Sequence, residues 1–221
     1  MSLPKPEDQF LTLDNDLTLQ YTAMGEGHPV IFLQGSGPGA SGWINFRHNA
    51  QYFVDQGFQV IIPDLPGFGF SDKPELDYTL DFFVEAVIGF ADKLGLDKFA
   101  LVGNSLGGAV SLGLALAHPE RTTHLLMMAP GGLEDKPVYF QMEGIQAMTG
   151  VPLNSPEFTP AYLKSVLKLI VHDPKHITDE LIEERFKVLE TQTPSVFTRM
   201  AIPNLTDQLH KIKTPILGFW G

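Results

Sequence analysis

The segment Gly103-Asn-Ser-Leu-Gly107 constrains the fold more than any other feature of this 221-residue sequence. The apolar run Phe99-Ala-Leu-Val102 precedes it, and a stretch rich in small residues, Leu106 to Ala117, follows with helical spacing. Flanking glycines would let a serine sit on a tight strand-to-helix turn with its hydroxyl clear of the sheet. In this context the pattern predicts that Ser105 is a nucleophile. Alone, it would also fit a tight turn with an incidental serine.

Strand and helix patterns alternate along the first 130 residues. Over the whole sequence, the predicted strands are 10–13, 17–21, 29–33, 58–62, 99–102, 123–128 and 214–220. The predicted helices are 43–56, 78–94, 106–117, 159–171 and 178–190. Continuous apolar runs such as 29–33 are typical of strands buried on both faces. The alternation therefore predicts an α/β fold with a mostly parallel sheet and helices on both faces.

The alternation stops after about residue 130. Residues 131–210 are mostly helical in pattern, and Thr178 is the predicted N-cap of one helix. Their apolar and aromatic side chains suit a lid over an apolar pocket, and they equally suit ordinary core packing. The strand pattern resumes at Thr214. We therefore expect a core at 1–130, a helical lid insertion at 131–210 and a return to the core at 211–221.

A glycine-rich loop, Gln34-Gly-Ser-Gly-Pro-Gly-Ala40, follows the strand that ends at Leu33. Beside a serine nucleophile, such a loop can donate one backbone N–H to an oxyanion, and the residue after the serine donates the other. The candidates are the N–H groups of Ser36 and Leu106. A phosphate-binding glycine loop is the alternative, but no lysine follows at the position that a P-loop requires.

Composition narrows the function classes. The sequence has no cysteine, which excludes disulfides, thiolate metal sites and a cysteine nucleophile. Its net charge of -11 argues against nucleic acid and against a basic membrane-binding patch. No apolar stretch is long enough to span a bilayer, and the N-terminus lacks the apolar core of a signal peptide. We expect a cytoplasmic protein that acts on a small molecule.

Three segments together resemble the meta-cleavage product hydrolases of the α/β-hydrolase superfamily. They are Gly35-Ser-Gly-Pro-Gly-Ala-Ser-Gly-Trp-Ile-Asn-Phe46, Gly103-Asn-Ser-Leu-Gly-Gly108 and Ala129-Pro-Gly-Gly132. The resemblance extends through the helical segment 176–186 to Gly221. It implies an α/β-hydrolase fold with a helical lid, and a serine enzyme without metal or organic cofactor. The family cleaves a carbon–carbon bond in 2-hydroxy-6-oxo-hexa-2,4-dienoates, and its members tend to form dimers or larger assemblies.

The resemblance implies a role for each matching position. Ser105 would be the nucleophile, and Gly35 and Gly37 would lie against the substrate. Asn45 and Asn104 would line the polar end of the pocket. Arg185 would bind the carboxylate or dienolate oxygens as a bidentate donor. The alternative for Arg185 is a solvated charge on a helix surface that also carries glutamates.

The sequence departs from the family pattern at two points. Gln34 stands where the family usually has a histidine, a change that we expect to alter loop packing and not chemistry. The triad acid and histidine should follow the strand that ends near residue 220, because the chain order in this fold is serine, acid, histidine. We therefore expect that the sequence is a fragment, without the last strand and helices of the core.

No residue within the sequence is a convincing substitute for these triad members. The histidines do not fall in the loop that the triad needs; they are His28, His48, His118, His124, His172, His176 and His210. Glu134 and Asp135 are the alternative acids, although a solvated position suits them better. Three functions remain open: carbon–carbon hydrolysis, hydrolysis of an ester or lactone on the same scaffold, and non-catalytic ligand binding.

Overall fold

The computed structural model describes residues 5–220, and strands alternate with helices through its first half. The strands are β1 (Gln9–Thr12), β2 (Thr18–Met24), β3 (His28–Leu33), β4 (Phe58–Pro63), β5 (Tyr78–Thr79), β6 (Phe99–Asn104), β7 (Thr122–Met128), β8 (Met200–Ala201) and β9 (Ile216–Phe219). The helices are α1 (Gly42–Asp55), α2 (Leu80–Lys93), α3 (Leu106–Ala117), α4 (Lys136–Tyr139), α5 (Glu143–Thr149), α6 (Pro160–Leu169), α7 (Asp179–Leu189) and α8 (Ser195–Thr198). Short 3₁₀ helices occupy Pro174–His176 and Thr206–Lys211.

Seven strands form one sheet in the order β1-β2-β4-β3-β6-β7-β9. The pairs β4–β3, β3–β6, β6–β7 and β7–β9 are parallel, whereas β1–β2 and β2–β4 are antiparallel. The α/β-hydrolase fold with a mostly parallel sheet is thus confirmed. Because β3 and β6 are neighbours, their carboxyl ends bring the loop after Leu33 next to the turn at Ser105.

Both faces of the central strand β3 are covered, as its continuous apolar run predicts, whereas the edge strand β9 is exposed along its length. Along β3, Val30 and Phe32 pack with α1, whereas Ile31 and Leu33 face the larger cluster formed with α2 and α3. Trp43 is buried on the α1 side, as a packing residue. A backbone buried on both sides leaves the strand ends as the places where polar chemistry can be exposed.

The helical part of the chain has an apolar cluster of its own. Phe158, Leu163, Leu167, Ile177 and Ile182 form this cluster from α6, α7 and the segments next to them. The N-cap prediction is confirmed, since the Thr178 hydroxyl accepts a hydrogen bond from Leu181 N at 3.2 Å.

A two-stranded sheet, β5 with β8, was not predicted. The predicted helix 78–94 accordingly begins two residues later than expected, at Leu80. The pairing joins the end of the helical part back to the core. None of the helices within residues 5–220 is long and apolar enough to cross a membrane.

An apolar groove of about 660 Å³ lies beside the edge strand β9. Its lining extends from the first residues of β3 and β4, His28 and Phe58, across one face of the sheet to Val102, Leu126 and Leu217. Among the described residues, neither Ser105 nor the glycine-rich loop borders the groove, so it is separate from the site described next.

Candidate active site

Ser105 occupies a strained turn between β6 and α3. Its backbone has φ 49° and ψ −111°, a region that non-glycine residues rarely adopt. The turn is fixed by hydrogen bonds from Ser105 N to Met128 O (3.1 Å) and from Gly131 N to Ser105 O (2.7 Å). The hydroxyl makes no hydrogen bond to any residue in 5–220, and the residue is partly exposed. The predicted strand–turn–helix geometry is therefore present.

Glycine at position 107 is required by the approach of α3 to β3. A Cβ atom there would lie 1.9 Å from Leu33 O, an impossible distance against a backbone atom. The Gly107 N–H donates instead to Gln34 O at 3.0 Å, which ties the beginning of α3 to the glycine-rich loop. This contact brings the two predicted motifs together.

The glycine-rich loop passes directly beside the serine. A Cβ atom on Gly35 would be 3.2 Å from the Ser105 Cβ, closer than an ordinary van der Waals contact, so glycine keeps the loop from pressing on the nucleophile. Within the described chain, neither Ser36 N nor Leu106 N donates a hydrogen bond to a protein atom. Leu106 is the first residue of α3, where an N–H has no acceptor inside the helix. Both amides thus remain available to a ligand oxygen.

Two asparagine side chains, Asn45 and Asn104, hold the glycine-rich loop beside the turn at Ser105. Asn45 Oδ1 accepts hydrogen bonds from Gly35 N (3.1 Å) and from Asn104 Nδ2 (3.2 Å). This acceptor is therefore occupied by the protein, and its main effect is to fix the loop against the turn. The structure thus brings Asn45 and Asn104 together beside the loop, as the sequence predicts.

Arg185 reaches the same loop from α7. Its Nη1 donates to Pro38 O at 2.9 Å and lies 3.6 Å from a Cβ placed on Gly37. The alternative of a solvated surface charge is therefore wrong. Burial, and then the nearby charge of Arg47, lower the pKa of Arg185 to about 10, so the guanidinium remains charged at neutral pH.

Two further contacts between the helical part and the loop were missed from the sequence. Gln192 Oε1 accepts from Gly39 N at 3.0 Å, and Arg47 on α1 forms an ion pair with Glu184 on α7 at 2.6 Å. The partners are more than a hundred positions apart in the chain, and no local pattern signals such pairs.

Gln34 and Asp64 fix the loop to the core. Gln34 is fully buried, and its amide donates to Pro63 O (3.2 Å) and accepts from Leu65 N (2.9 Å), which agrees with a role in loop packing. Asp64 accepts from Gly42 N at 2.6 Å and from Phe70 N at 2.8 Å. Burial raises the pKa of Asp64 to about 6 even though these hydrogen bonds and Lys73 lower it.

No histidine in residues 5–220 hydrogen-bonds to Ser105. Glu134 and Asp135 are exposed, and Asp135 Oδ1 accepts from Asn204 Nδ2 at 2.8 Å, so neither acts as a buried acid beside the serine. The same residues include no cluster of acidic side chains and histidines able to hold a metal ion. The described residues thus present a serine hydroxyl beside unpaired backbone amides, with no neighbouring base in residues 5–220.

Known proteins agree with this geometry. The sequence model of the family described as alpha/beta hydrolase fold matches residues 28–151 of this chain. A 2-hydroxy-6-oxo-6-phenylhexa-2,4-dienoate hydrolase of Comamonas testosteroni is 34% identical over 220 residues, covering 94% of this chain and 75% of that protein. A 2-hydroxy-6-oxononadienedioate/2-hydroxy-6-oxononatrienedioate hydrolase of the same species is 37% identical over 207 residues, covering 89% and 71%.

Solved structures point the same way. The meta-cleavage product hydrolase of Pseudomonas fluorescens IP01, in a variant complexed with acetates, superposes with a TM-score of 0.81 and 28% identity. The match covers 96% of this chain and 79% of that one. The fold and the site thus define an α/β hydrolase with a serine at the nucleophile turn. Within that class, the chain belongs to the family of meta-cleavage product hydrolases.

Proposed function

We propose that this protein hydrolyses a carbon–carbon bond in a 2-hydroxy-6-oxo-hexa-2,4-dienoate, with Ser105 as the nucleophile. The single observation that carries the proposal is the position of Ser105. Its hydroxyl stands on a strained turn next to two backbone amides, and within residues 5–220 neither the hydroxyl nor these amides have a hydrogen-bond partner. The relatives named for dienoate hydrolysis supply the substrate class.

The two amides have a defined role in this proposal. Attack of the serine oxygen on the C6 carbonyl converts the carbonyl oxygen into an oxyanion. The N–H groups of Ser36 and Leu106 would donate to that oxyanion. The positive end of α3 would add to the stabilisation, because unpaired N–H groups at a helix N-terminus favour negative charge.

Arg185 and the asparagines would hold the other end of the substrate. The guanidinium has no carboxylate partner within residues 5–220, so a substrate carboxylate or dienolate oxygen would complete its hydrogen bonding. Asn104 and Asn45 would border this polar end, and Gly35 and Gly37 leave space for the substrate against the loop.

The proposed reaction consumes one water molecule. The dienol first tautomerises to a ketone, which places a proton on C5. Serine addition at C6 is followed by cleavage of the C5–C6 bond, and the electron pair leaves on C5 as a dienolate, which is then protonated. Water releases the acyl group from Ser105 as a carboxylic acid. A serine needs an adjacent base for this chemistry, and His would be the residue type that removes its proton.

The test is turnover of 2-hydroxy-6-oxo-6-phenylhexa-2,4-dienoate by the purified full-length protein. The expected result is loss of the dienoate absorbance with equal amounts of benzoate and 2-hydroxypenta-2,4-dienoate formed. Cleavage of simple aryl esters with the dienoate unchanged would favour an esterase instead. Tight dienoate binding without any product would favour a ligand-binding homologue.

We also propose that the protein works in the cytoplasm on this small molecule, as a homodimer or larger assembly. A sequence without cysteine is compatible with a reducing compartment. The assembly is an implication of family membership. Cell fractionation and light scattering on the purified protein test the two statements separately.

A further inference from the structure

One ion pair joins the helix that carries Asn45 to the helix that carries Arg185. Arg47 Nη1 on α1 lies 2.6 Å from Glu184 Oε2 on α7. The Arg47 side chain is only 20% exposed and that of Glu184 is 43% exposed, so the pair is more sheltered than an ordinary surface contact. It connects the core to the lid close to the glycine-rich loop.

Arg185 has few direct contacts that could fix its position. Its one hydrogen bond to the described chain runs to Pro38 O, and its Nε is closed off from solvent without a partner. The like charge of Arg47 is close enough to destabilise its protonated form. Something other than direct pairing must therefore hold this guanidinium beside the loop.

The backbone of α7 is pressed against the loop next to Arg185. A Cβ atom on Gly39 would lie 2.2 Å from Arg185 O, and Gly39 N donates to Gln192 Oε1 at 3.0 Å. No side chain separates helix from loop at this point. A small displacement of α7 would therefore move Arg185 and disturb the loop together.

We propose that the Arg47–Glu184 ion pair is a positioning device that fixes α7 so that Arg185 meets the carboxylate of the ligand. Arg47 and Glu184 act through Arg185 and do not touch the ligand themselves. The inference rests on the proposed function, because it takes an anionic dienoate as that ligand.

A purely electrostatic role and a positioning role predict opposite effects on ligand binding when the Glu184 carboxylate is removed. If the pair acted only through charge, removing the carboxylate would raise the positive potential beside Arg185 and tighten anion binding. If the pair positions α7, its loss weakens binding in spite of the added positive charge. Glu184→Met removes both charge and hydrogen bond, whereas Glu184→Gln keeps an oxygen that can accept from Arg47.

The experiment measures dienoate binding in a Ser105→Ala background, so that the ligand is not consumed. Titration of 2-hydroxy-6-oxo-6-phenylhexa-2,4-dienoate is followed by its absorption spectrum. Glu184→Met is expected to raise Kd about fivefold or more, and Glu184→Gln to stay within about twofold. The matched control is Asp92→Met, which removes the Arg121–Asp92 pair on the remote helix α2 (2.7 Å) and should leave Kd unchanged.

A charge exchange keeps the proposal falsifiable if Glu184→Met folds poorly. Arg47→Glu combined with Glu184→Arg restores an ion pair of reversed polarity, and Kd should return to within about twofold of the parent. Unchanged or tighter binding in Glu184→Met, or no recovery in the exchanged pair, overturns the proposal while the proposed function stands. If the Ser105→Ala parent itself fails to bind the dienoate, the proposed function fails and this inference with it.

Discussion

The turn at Ser105 and helix α7 reach the same glycine-rich loop, but different contacts hold them there. The turn is fixed by backbone hydrogen bonds and by backbone contact, such as that of Gly107 with Leu33. Helix α7 also packs its backbone against the loop at Gly39, but the hydrogen bonds that hold it come from side chains, among them Arg185 to Pro38 O and Glu184 to Arg47. The geometry of the Ser105 turn thus depends on the core, and the anion recognition that we propose for Arg185 depends on α7.

This difference has a consequence for mutation. Core contacts between backbone atoms cannot adjust, so changes there should act on folding as well as on chemistry. Side-chain contacts of α7 can be exchanged, so changes there should act mainly on ligand affinity.

Gly107→Ala should destabilise the protein by more than about 3 kcal/mol, because the added Cβ would lie 1.9 Å from Leu33 O. Gly89→Ala is the matched control in helix α2, where a Cβ meets only Leu13 Cδ1 at 3.7 Å. The control should be stabilised by about 0.5–1 kcal/mol. Urea unfolding measures both, and equal stability of the two variants would show that α3 does not need its close approach.

Asp64 should make the core side of the loop sensitive to pH. Burial raises its pKa from 3.8 to about 6 in the folded protein, so the folded state holds this proton more tightly than the unfolded state. The resulting stability is fully present below pH 3.8 and is lost as the pH rises through about 6. The loss corresponds to about 3 kcal/mol.

The Asp64→Asn variant isolates this effect, because it cannot titrate at position 64. Between about pH 3.5 and about pH 7, the free energy of unfolding of the wild type should fall by about 3 kcal/mol relative to that of the variant. The variant itself should be less stable, since its amide NH₂ group would face an N–H donor of Gly42 or Phe70. Parallel pH curves for the two proteins would contradict the prediction.

Arg185→Met should weaken dienoate binding by about 10- to 100-fold, the range expected for a lost charge-assisted hydrogen bond. Its stability should change less than that of Gly107→Ala. Arg121→Met, which removes the remote pair with Asp92, serves as the control and should bind normally. Titration in the Ser105→Ala background gives both Kd values, and an unchanged Kd in Arg185→Met would remove this residue from the site.

Much of the core could be predicted from local patterns. Helix α3 begins and ends at the predicted residues, and the strands around it differ from prediction by two residues or fewer. Continuous apolar runs and glycine boundaries are short-range signals that survive in a single sequence. The two-stranded β5–β8 sheet was missed because each strand has only two residues, too few to form a pattern.

The site likewise has residues that the sequence predicts and residues that it does not. Ser105 and the glycine-rich loop from Gly35 could be predicted, because each belongs to a motif of adjacent residues. The orientation of Arg185 could not be derived from helix spacing, because two glutamates precede it and suggest a solvated face. Arg47 and Gln192 were missed because their partners lie in distant segments, and only the folded structure brings them together.

The most direct test of Ser105 as the nucleophile compares the Ser105→Ala variant with the wild type on the same dienoate. Removal of the nucleophile should lower kcat by at least about 10⁴-fold, because the remaining groups can bind the substrate without forming an acyl enzyme. The Kd of the dienoate should stay within about threefold, since Arg185 and the loop are untouched. A variant that keeps more than about a tenth of the wild-type kcat would contradict the assignment of Ser105 as the nucleophile.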